Sequence, residues 1–305
     1  MATVDLHPEI ERVRHLAPDL SLDEAALVAM RAAGLGAPVE LSDRVERTDH
    51  VVSDDPRVVV RVHRPRGVDG PLPAIVQIHG GGYVLGSYAM DDPRFDRWSP
   101  ELGVVGVSVE YRLAPETPWP GPLEDCYAAL AWTHANAADL GIDPARIGIG
   151  GVSAGGGLAA SLALLARDRG EFPVAFQVLE CPMIDDRQQT TSSKLDGLLV
   201  WSRESNTFGW RAYLGELYGT DVHYTAAPAR AEDLRGLPPA LVIVGGADGF
   251  RDEDITYGLR LSQAGIPTAL HVIPGAPHGV QMFAGTAPAM QWDRLVTDWV
   301  REQLA

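Results

Sequence analysis

The sequence predicts an α/β protein in which a central, mostly parallel sheet of eight strands carries helices on both faces. Short apolar runs rich in β-branched residues alternate with helical stretches along most of the chain. Such alternation, with strands that are apolar almost throughout, is typical of a parallel sheet covered on both sides. The composition agrees, because 46% apolar and 22% charged residues in a chain of 305 can build a large core.

The predicted elements follow one another in a regular order. Strands are expected over residues 41–52, 57–63, 74–78, 104–109, 146–150, 174–179, 241–244 and 268–273. Helices are expected over residues 25–33, 92–102, 123–140, 154–169, 252–264 and 290–304. Turn residues separate the early strands, with Asp54-Asp55-Pro56 after the first and a Gly- and Pro-rich stretch over 65–73 before the third.

Two segments lie outside this alternation. Near the amino terminus, Ser21 and Glu24 have the spacing of a capping box, and helix formers follow as far as Gly34. Residues 185–231 are rich in aromatic side chains and lack a strand pattern, so they are predicted to form an insertion lying over the sheet. The expected division is residues 1–40 as amino-terminal helices, 41–184 and 232–305 as the core, and 185–231 as the insertion.

The charge balance bears on partners and location. Lys and Arg number 25 against 41 for Asp and Glu, a formal net charge of −16. That sign opposes binding to nucleic acid or to an anionic membrane surface. Residues 1–16 carry scattered charges instead of the basic and apolar regions of a signal peptide, and no apolar stretch approaches the roughly 20 residues that cross a bilayer. A cytoplasmic location is therefore predicted.

The sequence contains two cysteines, Cys126 and Cys181. Two unpatterned thiols are too few for a disulfide framework or a zinc site. Both are surrounded by core-like residues in the sequence, so they are predicted to be small buried hydrophobic side chains.

The most specific motif is Gly151-Val152-Ser153-Ala154-Gly155, a G-x-S-x-G between a predicted strand and a predicted helix. A nucleophile that stands clear of a sheet needs a tight turn from strand to helix, and small flanking residues let the backbone pass close to its neighbours. The amino terminus of the helix also favours a developing negative charge. The motif therefore indicates that Ser153 is a nucleophile.

A dinucleotide site is the alternative interpretation of this turn. Residues 155–160 also fit G-x-G-x-x-A, and Glu180 ends a strand downstream. In a dinucleotide site, however, the glycines form the turn itself, whereas here they fall inside the helix and leave Ser153 without a role. The nucleophile interpretation is therefore preferred.

A serine nucleophile needs a base, and the base needs a group that orients it. Asp248 follows the strand at 241–244, and His278 follows the last strand through a Pro- and Gly-rich loop. Both lie beyond the carboxyl end of a parallel strand, as Ser153 does, and open α/β sheets place ligands at that edge. Three competing acids fall in the first turn of the next helix, where acids usually cap or face solvent: Asp252, Glu253 and Asp254. The predicted triad is Ser153, Asp248 and His278.

Three glycines follow the third predicted strand, in the run His79-Gly80-Gly81-Gly82. Attack on an ester carbonyl builds negative charge on its oxygen, and fixed backbone N–H groups stabilise that charge without reorganising. Glycines let the loop lie against the reacting atom, and the amide of Ala154 adds a donor beside the nucleophile. His79 itself is predicted to hold the loop by hydrogen bonds rather than to transfer protons.

Four blocks resemble the hormone-sensitive lipase family of α/β-hydrolases, in its bacterial carboxylesterase branch. They are His79–Gly82, Y-R-L-A-P-E at residues 111–116, the turn around Ser153, and Asp248 with Arg251-Asp252-Glu253 behind it and His278-Gly279 farther on. The resemblance implies the α/β-hydrolase fold and a helical cap formed by the amino-terminal helices and the insertion. It also implies an oxyanion hole built from the amides of Gly80, Gly81, Gly82 and Ala154.

The sequence departs from the common family pattern at Val152, at Gly249-Phe250 and at Val280. None of these positions carries a group that reacts. They bear on the shape of the substrate pocket and therefore on the preferred acyl length.

Together the motifs predict a serine carboxylesterase that hydrolyses short- to medium-chain acyl esters through an acyl-enzyme, with no metal or organic cofactor. An amidase or deacetylase with the same triad stays open, because pocket contacts choose the leaving group. A non-catalytic ligand-binding homologue is disfavoured because His278 is present.

Five aromatic residues are candidates for the walls of the substrate pocket, with packing against the core as the alternative: Tyr83, Trp201, Phe208, Trp210 and Tyr213. Members of the family often pair through the last strand and its helix. The resemblance therefore implies a homodimer through residues 268–273, a pairing that nothing else in the sequence indicates.

Overall fold

The computed structural model describes residues 5–34 and 39–305, so positions 1–4 and 35–38 of the predicted amino-terminal segment lie outside the described residues. Eight strands form one sheet: Val45–Asp54 (β1), Arg57–Pro65 (β2), Leu72–Ile78 (β3), Val105–Glu110 (β4), Ile142–Val152 (β5), Gln177–Glu180 (β6), Ala240–Gly245 (β7) and Thr268–Ile273 (β8). Their spatial order is β1-β2-β4-β3-β5-β6-β7-β8. β2 is antiparallel to its neighbours β1 and β4, and the other pairs are parallel. The predicted mostly parallel eight-stranded sheet is confirmed.

The described residues form eight α-helices: Pro8–Val13 (α1), Glu24–Ala33 (α2), Asp92–Leu102 (α3), Gly121–Ala135 (α4), Ala154–Arg169 (α5), Arg203–Leu214 (α6), Arg251–Gln263 (α7) and Ala287–Leu304 (α8). The central strands β3 and β7 are buried at every residue, whereas the edge strand β8 is mostly half-buried. Strands buried on both faces require a helical layer on each side of the sheet. The sheet and its helices therefore have the three-layer architecture that the alternation predicted.

The predicted capping box at Ser21 and Glu24 is wrong. α2 begins at Glu24, and its cap is Asp23, whose carboxylate accepts a hydrogen bond from the Ala26 amide at 2.7 Å. The Ser21 amide instead donates to the Asp19 carboxylate at 2.9 Å. Aspartate caps a helix at least as well as serine, and here it sits directly before the first helical residue.

Two of the three acids at the start of α7, Glu253 and Asp254, differ from the predicted capping or solvent-facing role. Asp252 is half-buried and accepts a hydrogen bond from the Ser192 amide at 2.7 Å, but Glu253 and Asp254 are buried. Neither carboxyl oxygen of Asp254 has a hydrogen-bond partner in the described part of the chain. Burial, reinforced by Glu253 and Asp248, holds the pKa of Asp254 well above its usual range. Folding therefore favours the protonated form of the Asp254 carboxyl.

Asp254→Asn is expected to raise the melting temperature by a few degrees at pH 8, and by less at pH 5. In the unfolded chain the Asp254 carboxyl ionises at its ordinary pKa, so unfolding releases a proton and rising pH favours the unfolded state. The asparagine removes this dependence, and about 1 kcal/mol shifts the melting temperature of a large domain by about 2–4 °C. Thermal melts of both proteins at the two pH values provide the measurement. An equal shift at both values would contradict the assignment.

Candidate active site

Ser153 occupies a strained turn between β5 and α5. Its backbone has φ 57° and ψ −121°, a conformation that non-glycine residues adopt only when their surroundings enforce it. The Ser153 amide donates to the Glu180 carbonyl at 2.8 Å, and the Ser153 carbonyl accepts from the amides of Gly157 and Met183, each at 2.9 Å. Contacts to α5, to the end of β6 and to the loop after it thus hold the turn rigid, as a fixed nucleophile requires.

The two glycines of the motif are required by close backbone contacts. A Cβ atom on Gly151 would collide with the Gly155 carbonyl, and one on Gly155 would collide with the Ile78 carbonyl at the end of β3. The same crowding applies to Gly157, where a Cβ would overlap the Met183 carbonyl. The glycines therefore let α5 start directly against the sheet, with the serine at the tip of the turn.

The structure brings Ser153, Asp248 and His278 together. The Nε2 atom of His278 lies 2.9 Å from the Ser153 hydroxyl oxygen, and its Nδ1 atom lies 2.8 Å from Oδ2 of Asp248. A carboxylate only accepts, so Nδ1 carries the proton and Nε2 accepts from the serine. All three side chains are buried. The predicted residues thus form a continuous hydrogen-bonded chain from the serine hydroxyl to a carboxylate.

Topology explains why three distant residues meet. Ser153 follows β5, Asp248 follows β7 and His278 follows β8, each just beyond the carboxyl end of its strand. β5, β6, β7 and β8 are consecutive in the sheet and parallel. The three loops therefore emerge along one edge, as is usual for ligand sites of open α/β sheets.

Neighbouring groups fix the triad further. Oδ1 of Asp248 accepts a hydrogen bond from the Phe250 amide at 3.0 Å, and the Phe250 ring packs edge-on against the His278 ring at 4.9 Å between centroids. Asp248 and His278 thus each have a second contact besides their hydrogen bonds within the triad. Such supporting contacts keep the imidazole aligned with the serine.

Cys181 lies close to two residues of the triad, with its sulfur within 4.8 Å of ligand-type atoms of Asp248 and His278. It is the one such cluster of three metal-capable side chains in the described residues. Burial raises the pKa of the Cys181 thiol, and the other two groups are already bonded to each other. Both cysteines are buried and unpaired, as the sequence predicted.

The glycine loop is shaped by His79 and Tyr111. The Nδ1 atom of His79 lies 2.8 Å from the Gly80 carbonyl and donates to it. Tyr111 stacks on the His79 ring at 4.2 Å between centroids, and its hydroxyl donates to the His79 carbonyl at 3.1 Å. Burial lowers the pKa of His79 to about 4, so the ring is neutral. His79 therefore holds the loop, and the tyrosine of the Y-R-L-A-P-E block holds His79.

The loop itself presents backbone donors. Gly81 and Gly82 have φ values of 118° and 61°, in the region that favours glycine. Their amides donate to no acceptor within residues 5–34 and 39–305. The Ala154 amide stands at the first position of α5, where helical N–H groups have no partner in the helix. Gly80, Gly81 and Gly82 line the same cavity as Ser153, which places the predicted oxyanion donors beside the nucleophile.

The cavity at Ser153 has a volume of about 170 Å³. Its apolar walls come from residues of several distant segments: Leu20, Leu85, Met90, Val152, Val200, Trp201 and Met282. Three polar side chains also line the cavity: Asp91, Arg94 and Gln281. A larger cavity of about 660 Å³, beside Arg31 and Glu110, contains none of the triad residues and carries no catalytic group.

One of the five predicted pocket aromatics lines this cavity. The Trp201 ring packs directly on Gly82, where an added Cβ would collide with it. Tyr83 is instead buried, donates its hydroxyl to the Met183 carbonyl at 2.7 Å and stacks on Tyr213 at 4.0 Å. Trp210 packs against both of these rings. For Tyr83, Trp210 and Tyr213 the structure therefore shows the alternative, in which the rings pack in the core.

Phe208 is also absent from the cavity lining and is half-buried against the core, so it too packs rather than forming a wall. Sequence reasoning did not identify Leu20, Asp91 or Met282 as lining residues. No motif surrounds them, and they reach the cavity only through the packing of distant segments.

The comparisons with known proteins agree with this geometry. A family model described as the alpha/beta hydrolase fold matches residues 75–282. Carboxylesterase NlhH of Mycobacterium tuberculosis is 36% identical over 275 residues, which cover 88% of this chain and 85% of that protein. Esterase LipI of the same organism is 37% identical over 219 residues, covering 71% and 68%. A solved structure of a bacterial heroin esterase is 42% identical and has a TM-score of 0.91. The match covers 99% of this chain and 98% of that structure.

Among the described residues, none of the helices combines the length and the apolar character needed to cross a membrane.

The family match spans both the glycine loop and the strained serine turn, and it reaches past His278. The chain therefore belongs to the α/β-hydrolase fold family, among the hormone-sensitive-lipase-like bacterial carboxylesterases.

Proposed function

We propose that this carboxylic ester hydrolase cleaves short- to medium-chain acyl esters with Ser153 as its nucleophile. The observation that carries the proposal is the hydrogen-bonded chain from the Ser153 hydroxyl through His278 to Asp248. A serine hydroxyl needs such a base at neutral pH, and the base needs an orienting group.

In the first half of the reaction, Nε2 of His278 takes the proton of the Ser153 hydroxyl while the oxygen attacks the ester carbonyl. The carbonyl oxygen becomes negative and is stabilised by amides of the Gly80–Gly82 loop and by the amide of Ala154. Collapse of this intermediate breaks the ester bond, and the imidazolium returns its proton to the leaving alcohol. A fixed donor of this kind contributes about 100- to 1,000-fold in rate.

In the second half, water takes the place of the serine. His278 removes a proton from water, which attacks the acyl-enzyme, and the carboxylic acid leaves as Ser153 regains its proton. Asp248 stabilises the imidazolium in both halves without taking the proton itself. Every proton stays between substrate, water, Ser153 and His278, so the residues present are sufficient for hydrolysis.

The small cavity supports the chain-length part of the proposal. Its volume of about 170 Å³ is below the roughly 300–1,000 Å³ of sites for larger ligands. Trp201 and Met282 give it an apolar lining, which suits a short acyl chain.

We also propose that residues 1–40 and 185–231 form a cap over a core of residues 41–184 and 232–305. The Ser205 hydroxyl in α6 donates to the Leu20 carbonyl at 2.7 Å and accepts from the Leu22 amide at 3.2 Å. Leu20 and Trp201 bring both segments into the cavity. The cytoplasmic location and the homodimer through β8 stay predictions.

Rates across 4-nitrophenyl esters from acetate to palmitate, with Ser153→Ala as the control, test the proposal. We expect kcat/KM to peak at or below octanoate, because longer chains exceed the cavity. Matched 4-nitroanilides are expected to react much more slowly than the esters. A maximum at palmitate would refute the chain-length assignment, and faster anilide cleavage would favour an amidase.

A further inference from the structure

One wall of the catalytic cavity carries a buried carboxylate. Asp91 lines the cavity together with Ser153, and it is only 6% exposed. Its Oδ2 atom has no hydrogen-bond partner in the described part of the chain. This oxygen is itself shielded from solvent, and a buried charged group without a partner costs free energy.

The nearby cation, Arg94, already forms an ion pair with another carboxylate. Arg94, one helical turn after Asp91, forms its ion pair with Glu180. Glu180 also accepts hydrogen bonds from the Trp292 indole at 2.7 Å and from the Gln281 amide at 3.2 Å. Arg94 therefore has two carboxylates near it, Glu180 and Asp91, and its ion pair with Glu180 leaves the ionised form of Asp91 without a cation of its own.

Burial and several neighbouring charged or polar groups shift the pKa of Asp91. Burial raises the pKa of Asp91 to about 7, opposed by the positive charge of Arg94 and by the Ser108 hydroxyl of β4. The negative charges of Asp92 and Glu180 raise the pKa further. A cation placed in the cavity would offset this cost and hold the carboxylate in its ionised form.

We propose that Asp91 is a specificity-determining residue that binds a protonated amine on the substrate ester. The ammonium N–H donates to the Asp91 carboxylate, and the alkyl groups of the amine lie against the apolar side chains of the cavity. Trp201 belongs to the same lining, and aromatic rings attract alkylammonium groups. The inference rests on the proposed esterase function and adds the class of substrate that the cavity prefers.

Two pairs of esters with matched shapes test this at pH 8, where Asp91 is mostly ionised. In one pair the amine is in the alcohol: 2-(dimethylamino)ethyl acetate against 3-methylbutyl acetate. In the other it is in the acyl chain: ethyl 4-(dimethylamino)butanoate against ethyl 5-methylhexanoate. The quantity measured is the ratio of kcat/KM between the amine ester and its neutral partner.

Asp91→Asn keeps the shape of the side chain and removes its charge. We expect it to lower the ratio by about 10- to 100-fold for the pair whose amine reaches position 91, as befits a hydrogen bond to a charged group. The matched control is Asp92→Asn, the same change at the next residue, which pairs with Arg61 and is not in the cavity lining. It should leave the ratio unchanged.

The neutral esters distinguish failure of the inference about Asp91 from failure of the proposed esterase function. If the wild type hydrolyses them but Asp91→Asn leaves both ratios unchanged, the inference about Asp91 is overturned while the esterase function stands. If the wild type hydrolyses none of the four esters, the proposed function itself fails. A ratio that falls equally in Asp92→Asn would mean that general electrostatics, not Asp91, selects the amine.

Discussion

Ser153→Ala and His278→Ala are each expected to lower kcat for 4-nitrophenyl acetate by about a million-fold. The serine oxygen forms the covalent bond, and Nε2 of His278, 2.9 Å away, is the group placed to take its proton. Because the two act in one step, the double variant should be no slower than either single variant. The residual rate would come from the oxyanion donors and from substrate binding.

Matched controls separate catalysis from folding. Ser161→Ala removes another buried serine from α5, and His271→Ala removes a half-buried histidine from β8. Both should keep most of the wild-type rate. A fluorophosphonate probe should label the wild type at Ser153 and leave Ser153→Ala unlabelled. Independent, multiplying losses in the double variant would show that the two side chains do not act as a unit.

The positions of the triad could be inferred before any coordinates because two kinds of information coincide. The alternation of strands and helices identifies where each parallel strand ends, and the residues Ser153, Asp248 and His278 follow three of those ends. Gly151 and Gly155 make the turn recognisable in the sequence, because the close backbone contacts at these two positions exclude any side chain. Local sequence is informative where the backbone geometry itself dictates the residue type.

The walls of the cavity could not be inferred in the same way. Leu20 comes from the amino-terminal segment and Met282 from the loop after His278, and their meeting depends on packing between distant segments. Aromatic composition was a poor guide, since Tyr83 and Tyr213 use their rings to pack on each other. Large apolar side chains suit a core and a pocket equally, so composition does not distinguish the two.

Asp248→Asn is expected to lower kcat by about 10,000-fold while leaving the fold intact. In the wild type, Oδ2 of Asp248 accepts the Nδ1 proton of His278, which leaves Nε2 free to accept the serine proton. The Phe250 amide donates to the other oxygen, Oδ1, at 3.0 Å. In the variant, the single amide oxygen of asparagine is drawn to that Phe250 donor, so its NH₂ group faces the imidazole.

An NH₂ group facing Nδ1 forces that nitrogen to accept, and the imidazole proton moves to Nε2. His278 then cannot take the proton of Ser153, although every heavy atom keeps its place. The kcat of Asp248→Asn, its melting curve and the ¹⁵N chemical shifts of His278 together check this, with Asp252→Asn on α7 as the matched change outside the triad. A large loss of rate with the proton still on Nδ1 would show that Asp248 acts through charge alone. A loss below about tenfold would mean that the carboxylate is dispensable and that the contacts of Phe250 suffice to orient the imidazole.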